Sequence, residues 1–276
     1  MGKDRPRANA EVSLRPLKPP PERLYGRRSG HRLRPRQQWL LDVVLPRLTL
    51  QLHDGAAPPL SATTSEAFEG TPPARTDTIA PTLRAHATRA HAPPALAAPL
   101  WLEIGFGAGE HALAQIATHP EATLIACEVF ENGICSLLSR LVPDGAGADA
   151  PLPPNLRLWT ADARILLRAL PDASLDRLFL LFPDPWPKAR HAKRRFVHPA
   201  TLPLLARVLK PGAEWRVASD DPTYQAWVDE VMAAQNFLTA EPPVTERPPD
   251  WPPTRYEAKA LREGRTPHYW TFRRKR

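Results

Sequence analysis

The chain has 276 residues, 42% of them hydrophobic, with 35 prolines, two cysteines and a formal net charge of +8. The length suits one large domain with appendages. Two cysteines without His or Cys companions at ligand spacing exclude a disulfide framework and a zinc cluster, and no run is long or apolar enough to span a membrane. The basic excess points to a polyanionic partner, nucleic acid first.

Residues 1–35 form a basic, proline-bearing arm in which the cations from Lys3 onward face only Asp4, Glu11 and Glu22. It lacks the apolar region of a secretory signal, and Pro6 stands where a myristoylation motif needs Ser or Thr. A cytoplasmic protein is expected. The arm is either a solvated tail or a strand of cations that tracks phosphates, with Arg27–Arg36 as its contact end. Arg36–Leu48 then reads as an amphipathic helix with Trp39, Leu40, Val43 and Val44 on one face, ended by Pro46. Residues 54–99 are rich in Ala, Pro and Thr without a sustained period. They are expected to be an inserted flexible loop.

From Leu100 short apolar strands alternate with helices. LWLEI, ATLIAC, NLRLW, LDRLFLL and AEWRVAS read as strands, each followed by a helical segment. This alternation predicts βαβ units and a mainly parallel sheet covered by helices on both faces, an α/β fold. Ligands of such sheets sit at the carboxyl ends of the strands.

The first strand ends LEIGFGAGEH. Gly105, Gly107 and Gly109 permit a tight turn and close approach of backbone to a ligand. The spacing is GxGxG, since Glu110 stands where a dinucleotide site needs its third glycine. Glu103, two residues before the first glycine, would repel a pyrophosphate but suits a cationic ligand such as S-adenosylmethionine. The second strand ends at Glu128, placed to accept from ribose hydroxyls, and the third at Asp162, placed to accept from an adenine amino group. Any one of these acids could cap a helix; three at successive strand ends point to a nucleoside-bearing cationic cofactor.

The fourth strand runs into FPDPWPKARHAKRR. Pro183, Pro185 and Pro187 fix φ and restrict their predecessors, which should freeze the loop and hold Asp184 beside the cofactor. Trp186 is expected chiefly to cover the core. Lys188, Arg190, Lys193, Arg194 and Arg195 form a cationic patch suited to phosphates. His191 and His198 flank the patch, either touching phosphate or solvated. Asp220 and Asp221, in ASDDPTY, are weak as a metal pair, and one of them could cap the next helix. No metal is expected.

LEIGFGAGEH, FPDPWPKARHAKRR, ASDDPTY and TRYEAKALREG together resemble the bacterial tRNA (guanine-N7-)-methyltransferase family, over roughly Tyr25–Leu52 and Leu100 to the C-terminus. The run Phe182–Arg195 is the specific part; the glycine loop is shared by many methyltransferases. The resemblance implies a class I, Rossmann-like methyltransferase fold on a seven-stranded sheet, formed by residues 36–53 and 100–276. It implies S-adenosylmethionine as donor and the guanine at position 46 of the tRNA variable loop as acceptor, with no obligatory protein partner. By motif, Glu103, Gly105, Glu128, Asp162 and Asp184 match cofactor-contacting positions, and Asp184 also the active-site position. Lys188, Asp220, Thr254, Arg255, Tyr256 and Glu257 match substrate-binding positions. Two departures stand out: the 54–99 segment is far longer than the family's usual link, and Ala189 replaces a second lysine. A non-catalytic RNA-binding protein on the same fold is the competing reading. The acids at three strand ends, with Asp184, argue against it.

Overall fold

The structure, a computed structural model, describes residues 28–52 and 98–276. Most of the basic arm and nearly all of the Ala/Pro/Thr-rich insertion therefore lie outside the described residues.

The N-terminal helix comes in three pieces: α1 (Pro35–Trp39), a wide π-turn (Leu40–Val44) and α2 (Leu45–Leu48). Leu40, Val44 and Leu48 recur every four residues, and all three are at most 2% exposed. Pro46 does not end the helix, contrary to expectation. The turn before it is wide: the Leu45 N–H reaches back to the Leu40 carbonyl. Pro46 then falls in the first turn of α2, where a missing N–H and a fixed φ are tolerated.

Beyond the insertion the chain forms β1 (Leu100–Ile104), α3 (Glu110–Thr118), β2 (Thr123–Cys127), α4 (Glu131–Leu141), β3 (Leu156–Trp159), α5 (Ala163–Ala169) and β4 (Leu175–Leu181). A short 3-10 turn (Ala189–Arg194) precedes α6 (Leu202–Val208), β5 (Leu209–Ser219), α7 (Pro222–Ala233), β6 (Leu238–Ala240), α8 (Arg255–Arg262) and β7 (His268–Arg274). The seven strands make one sheet in the order β3-β2-β1-β4-β5-β7-β6. β1 to β5 pair in parallel, and β7 lies antiparallel between β5 and β6.

Side chains alternate across each strand, so the sheet buries both faces. Leu102, Ile104, Leu178 and Val217 pack against α5, α6 and α7. On the other face, Trp101, Leu124, Leu158 and Phe179 pack against the N-terminal helix, α3 and α4. The two cores fix the carboxyl ends of β1 to β4 side by side. The glycine loop after β1 is pinned from below: a Cβ on Gly133, in α4, would collide with the Gly107 carbonyl oxygen.

Candidate active site

A cleft of about 390 Å³ opens at the carboxyl ends of β1, β2, β3 and β4. Gly105, Glu128, Asp162, Asp184 and Tyr256 all line it. The separated motifs of the sequence thus meet at one place.

Gly105 and Gly107 adopt φ of +78° and +60°, the left-handed region that glycine reaches without strain. A Cβ on Gly105 would meet nothing within 4 Å, so the turn is an open cradle rather than a packed one. Glu128 stands across from it. Its Oε2 accepts from the Gly107 N–H at 2.8 Å, and its Oε1 from Val129 and Phe130 at 2.8 and 2.9 Å. Burial raises the Glu128 carboxyl above its ordinary value, against the opposing pull of those three N–H groups.

Asp162 is the N-cap of α5 and accepts from the Arg164 N–H at 2.9 Å. The Arg164 guanidinium also grips its carboxylate, with Nε at 3.0 Å from Oδ1. Burial pushes this carboxyl up, but the Arg164 bonds outweigh it and hold the group below its ordinary value. Arg164 lines the cleft as well, and the sequence reading missed it. The partner two residues ahead, in DAR, was its only signal.

Asp184 is exposed and accepts no hydrogen bond among the described residues, so its carboxylate is available to a ligand. Its loop is strained on both sides: Phe182 has φ of +50° and Trp186 of +44°, positions that bulky residues rarely take. Trp186 is half-buried and lines the cleft, with the Arg194 guanidinium 4.7 Å over its ring. It is a cleft wall more than a core plug. Phe130 and Thr201 line the cleft too; nothing in their local sequence marked them.

The remaining candidates lie outside the cleft lining. Glu103 is 3% exposed and faces the α3 layer, as alternation along β1 requires, with Oε2 2.9 Å from His111 Nδ1. His111 Nε2 in turn meets Gln115 at 3.1 Å. Lys188 is exposed and precedes the 3-10 turn. Asp220 accepts from Arg265 Nε at 2.6 Å, whereas Asp221 caps α7 through the Tyr224 N–H at 3.0 Å. Thr254 and Glu257 form the capping box of α8. Glu257 also accepts from Arg247 and from the Tyr269 hydroxyl, at 3.0 and 2.9 Å. That box aims the helix so that Tyr256 lies against Gly107, within 3.1 Å of where a Cβ would be. Arg255 donates to the Tyr256 hydroxyl at 2.9 Å.

The basic run needs two corrections. Lys193, Arg194 and Arg195 all line the cleft, but Arg195 is only 5% exposed and is no surface phosphate contact. His198 is fully buried. Its Nδ1 accepts from the Ala200 N–H, and burial lowers its pKa; it neither touches phosphate nor meets solvent. Among the described residues no cluster of His, Cys, Asp or Glu is grouped to hold a metal, and no helix is long and apolar enough to cross a membrane.

A mainly parallel seven-stranded sheet with this strand order, and acids gathered over a glycine turn at its carboxyl edge, define a class I methyltransferase fold. The family model Methyltransf_4, described as "Putative methyltransferase", matches residues 97–269. The tRNA (guanine-N(7)-)-methyltransferase of Granulibacter bethesdensis is 57% identical over 94% of this chain and 98% of its own length. Those of Rhodospirillum rubrum and Paracoccus denitrificans are 47% and 45% identical, over 92% and 93% of this chain and 88% and 97% of theirs. The solved 16S rRNA methyltransferase KamB is a more distant likeness, with a TM-score of 0.45 at 16% identity over 64% of this chain and 88% of that one. The chain belongs to the tRNA (guanine-N7-)-methyltransferase family.

Proposed function

We propose that this protein transfers a methyl group from S-adenosylmethionine to N7 of the guanine at position 46 in the variable loop of tRNA. The observation that carries the reading is Asp184: an exposed carboxylate, without a hydrogen-bond partner among the described residues, on the same cleft as Glu128 and Asp162 and beside a cationic rim. The named activity of the relatives supports the same reading.

The residues present fit the donor. The open turn at Gly105 leaves room where a side chain would intrude. Glu128 keeps acceptor capacity for ribose hydroxyls, because a carboxylate offers about four lone-pair sites and three are used by N–H groups. Asp162 offers its carboxylate edge to an adenine amino group, and the buried Glu103 carboxyl, two residues before Gly105, is held by His111. When bound, S-adenosylmethionine supplies an electrophilic methyl group on a sulfonium.

Guanine N7 carries an in-plane lone pair and no proton, so no general base is required. The protein's work is to hold two reactants in line, which is worth several orders of magnitude in rate. Asp184 orients the guanine and stabilises the positive charge that develops on the purine. Lys188, Lys193 and Arg194 take the flanking phosphates. Asp220 and the Thr254–Glu257 segment complete the acceptor side, with Tyr256 between the two reactants. The exposed cations of the 28–35 segment add phosphate contacts, and a tRNA substrate implies a cytoplasmic enzyme. No obligatory protein partner is needed.

Labelled S-adenosylmethionine with unmodified tRNA tests the reading. About one methyl group per tRNA is expected, with no transfer to tRNA already carrying N7-methylguanine. Absence of transfer from a protein that binds the donor would overturn the acceptor assignment.

A further inference from the structure

The cationic run ends in two adjacent arginines that both border the cleft but are held differently. Arg194 lies along the cleft, over Trp186. Arg195 turns inward and is 5% exposed. Its Nε donates to the Pro185 carbonyl at 3.0 Å, and its Nη2 to the Trp186 carbonyl at 3.0 Å. Its guanidinium stacks 4.9 Å over the Trp227 ring, and Trp227 is itself fixed by donating from Nε1 to the Val197 carbonyl.

Among the described residues no carboxylate makes an ion pair with this buried cation; Asp221 and Glu230 act on it only from a distance. A buried charge without an ion-pair partner is expensive, and an apolar side chain of similar size would serve a purely structural core better. Main-chain carbonyls are what this cation is spent on, and they belong to the two residues just after Asp184. They also belong to the loop whose ends, Phe182 and Trp186, hold positive φ. A strained loop keeps its shape only where its surroundings over-determine it. Proline at 183, 185 and 187 restricts φ but cannot hold the bulky flanking residues in the left-handed region.

We propose that Arg195 is the positioning residue for Asp184: it closes the segment Pro185–Arg195 on itself and holds the strained loop so that the Asp184 carboxylate faces the acceptor. The assignment rests on the methyl-transfer reading above. It makes Arg195 the one member of the basic run that acts on turnover instead of on tRNA affinity.

The test compares wild type with Arg195→Met, which keeps much of the packing on Trp227, and Arg195→Lys, which keeps the charge and a donor. Three quantities are read: kcat and KM for tRNA, the salt dependence of tRNA binding, and the fluorine spectrum of fluorotryptophan-labelled protein. The Trp186 line is assigned by its loss in Trp186→Phe. Arg195→Met is expected to lower kcat by about a hundredfold, the loss that misplacing a reacting group brings. Its salt slope should be unchanged, its Trp186 line shifted or broadened, and its Trp215 and Trp251 lines kept. Arg195→Lys should recover part of kcat. A salt slope smaller by about 0.7–0.9, with kcat kept, would make Arg195 a phosphate contact and overturn the proposal. An unmoved Trp186 line would overturn it too, whether or not tRNA is the acceptor, because that line is read without substrate. Should Arg195→Met fail to fold, Arg195→Lys decides: wild-type kcat with a disturbed Trp186 line would sink the link to turnover. A wild-type protein that fails to methylate tRNA would count against the function, not against the clamp.

Discussion

At the scale of single residues, the site divides its acids by what already holds them. Glu128 and Asp162 are built into the backbone, one through three N–H groups and the other through the α5 cap and Arg164. Asp184 is held only through its loop. Asp184→Ala should therefore lower kcat by about 10²–10³-fold, with S-adenosylmethionine affinity by calorimetry close to wild type; near-normal turnover would remove Asp184 from the chemistry. Glu128 gives a pH signature. Burial raises its folded pKa, so it takes up a proton at a higher pH than a free glutamate, and the protonated form loses acceptor capacity. Donor affinity should accordingly fall as pH drops from neutral toward the raised pKa, and Glu128→Gln should bind weakly with that dependence removed. By linkage the raised pKa favours the fold at low pH and withdraws that stability as pH rises through it. Protonation of Glu128 itself therefore does not unfold the protein, and circular dichroism at each pH would separate the loss of affinity from the opposite linkage of Asp162 and His198, whose lowered pKa values withdraw stability as pH falls.

At the scale of elements, the glycine loop depends on α4 and the acceptor side on α8. A methyl group at position 133 would press on the Gly107 carbonyl, which is backbone and cannot swing aside. Gly133→Ala should displace the loop and cost about a hundredfold in kcat/KM while helical content by circular dichroism stays. Thr254→Ala removes the α8 cap and should cost about 1 kcal/mol, or about 2–4 °C in Tm, read by thermal unfolding. The elements differed in how plainly the sequence announced them. The alternation from Leu100 located β1 to β5 and the helices between them, because each strand is a short apolar run and each helix carries a buried stripe. β6 has three residues and β7 ends in charged Arg273 and Arg274, so the pairing of β7 with β5 and of β6 with β7 was not readable from period alone. Pro46 misled because a π-turn leaves no signature in composition. Asp162 and Tyr256 could be placed at the cleft by motif, but not the Arg164 grip on one or the packing of the other on Gly107. Those are contacts fixed by the folded geometry, and a spacing does not encode them. Arg194 and Arg195 are identical in the sequence; only the fold lays one over Trp186 and turns the other onto the Pro185 and Trp186 carbonyls.

At the scale of the whole molecule, the net charge of +8 meets a strongly charged substrate, so tRNA binding should weaken steeply with salt. Lys188 is exposed and outside the cleft lining. Lys188→Ala should reduce the slope of log affinity against log salt by about 0.7–0.9 and leave donor affinity alone; equal loss of both would make the residue structural. The central claim joins a cofactor cleft, an exposed acid and a basic rim into one reaction at one atom of one nucleotide. The most direct measurement incubates the protein with S-adenosylmethionine and unmodified tRNA, then maps the product by strand cleavage specific to N7-methylguanine. Cleavage at the guanine at position 46, abolished when that guanine is replaced, is the predicted result. Cleavage at another guanine, or methyl transfer without any N7-specific cleavage, would contradict the account.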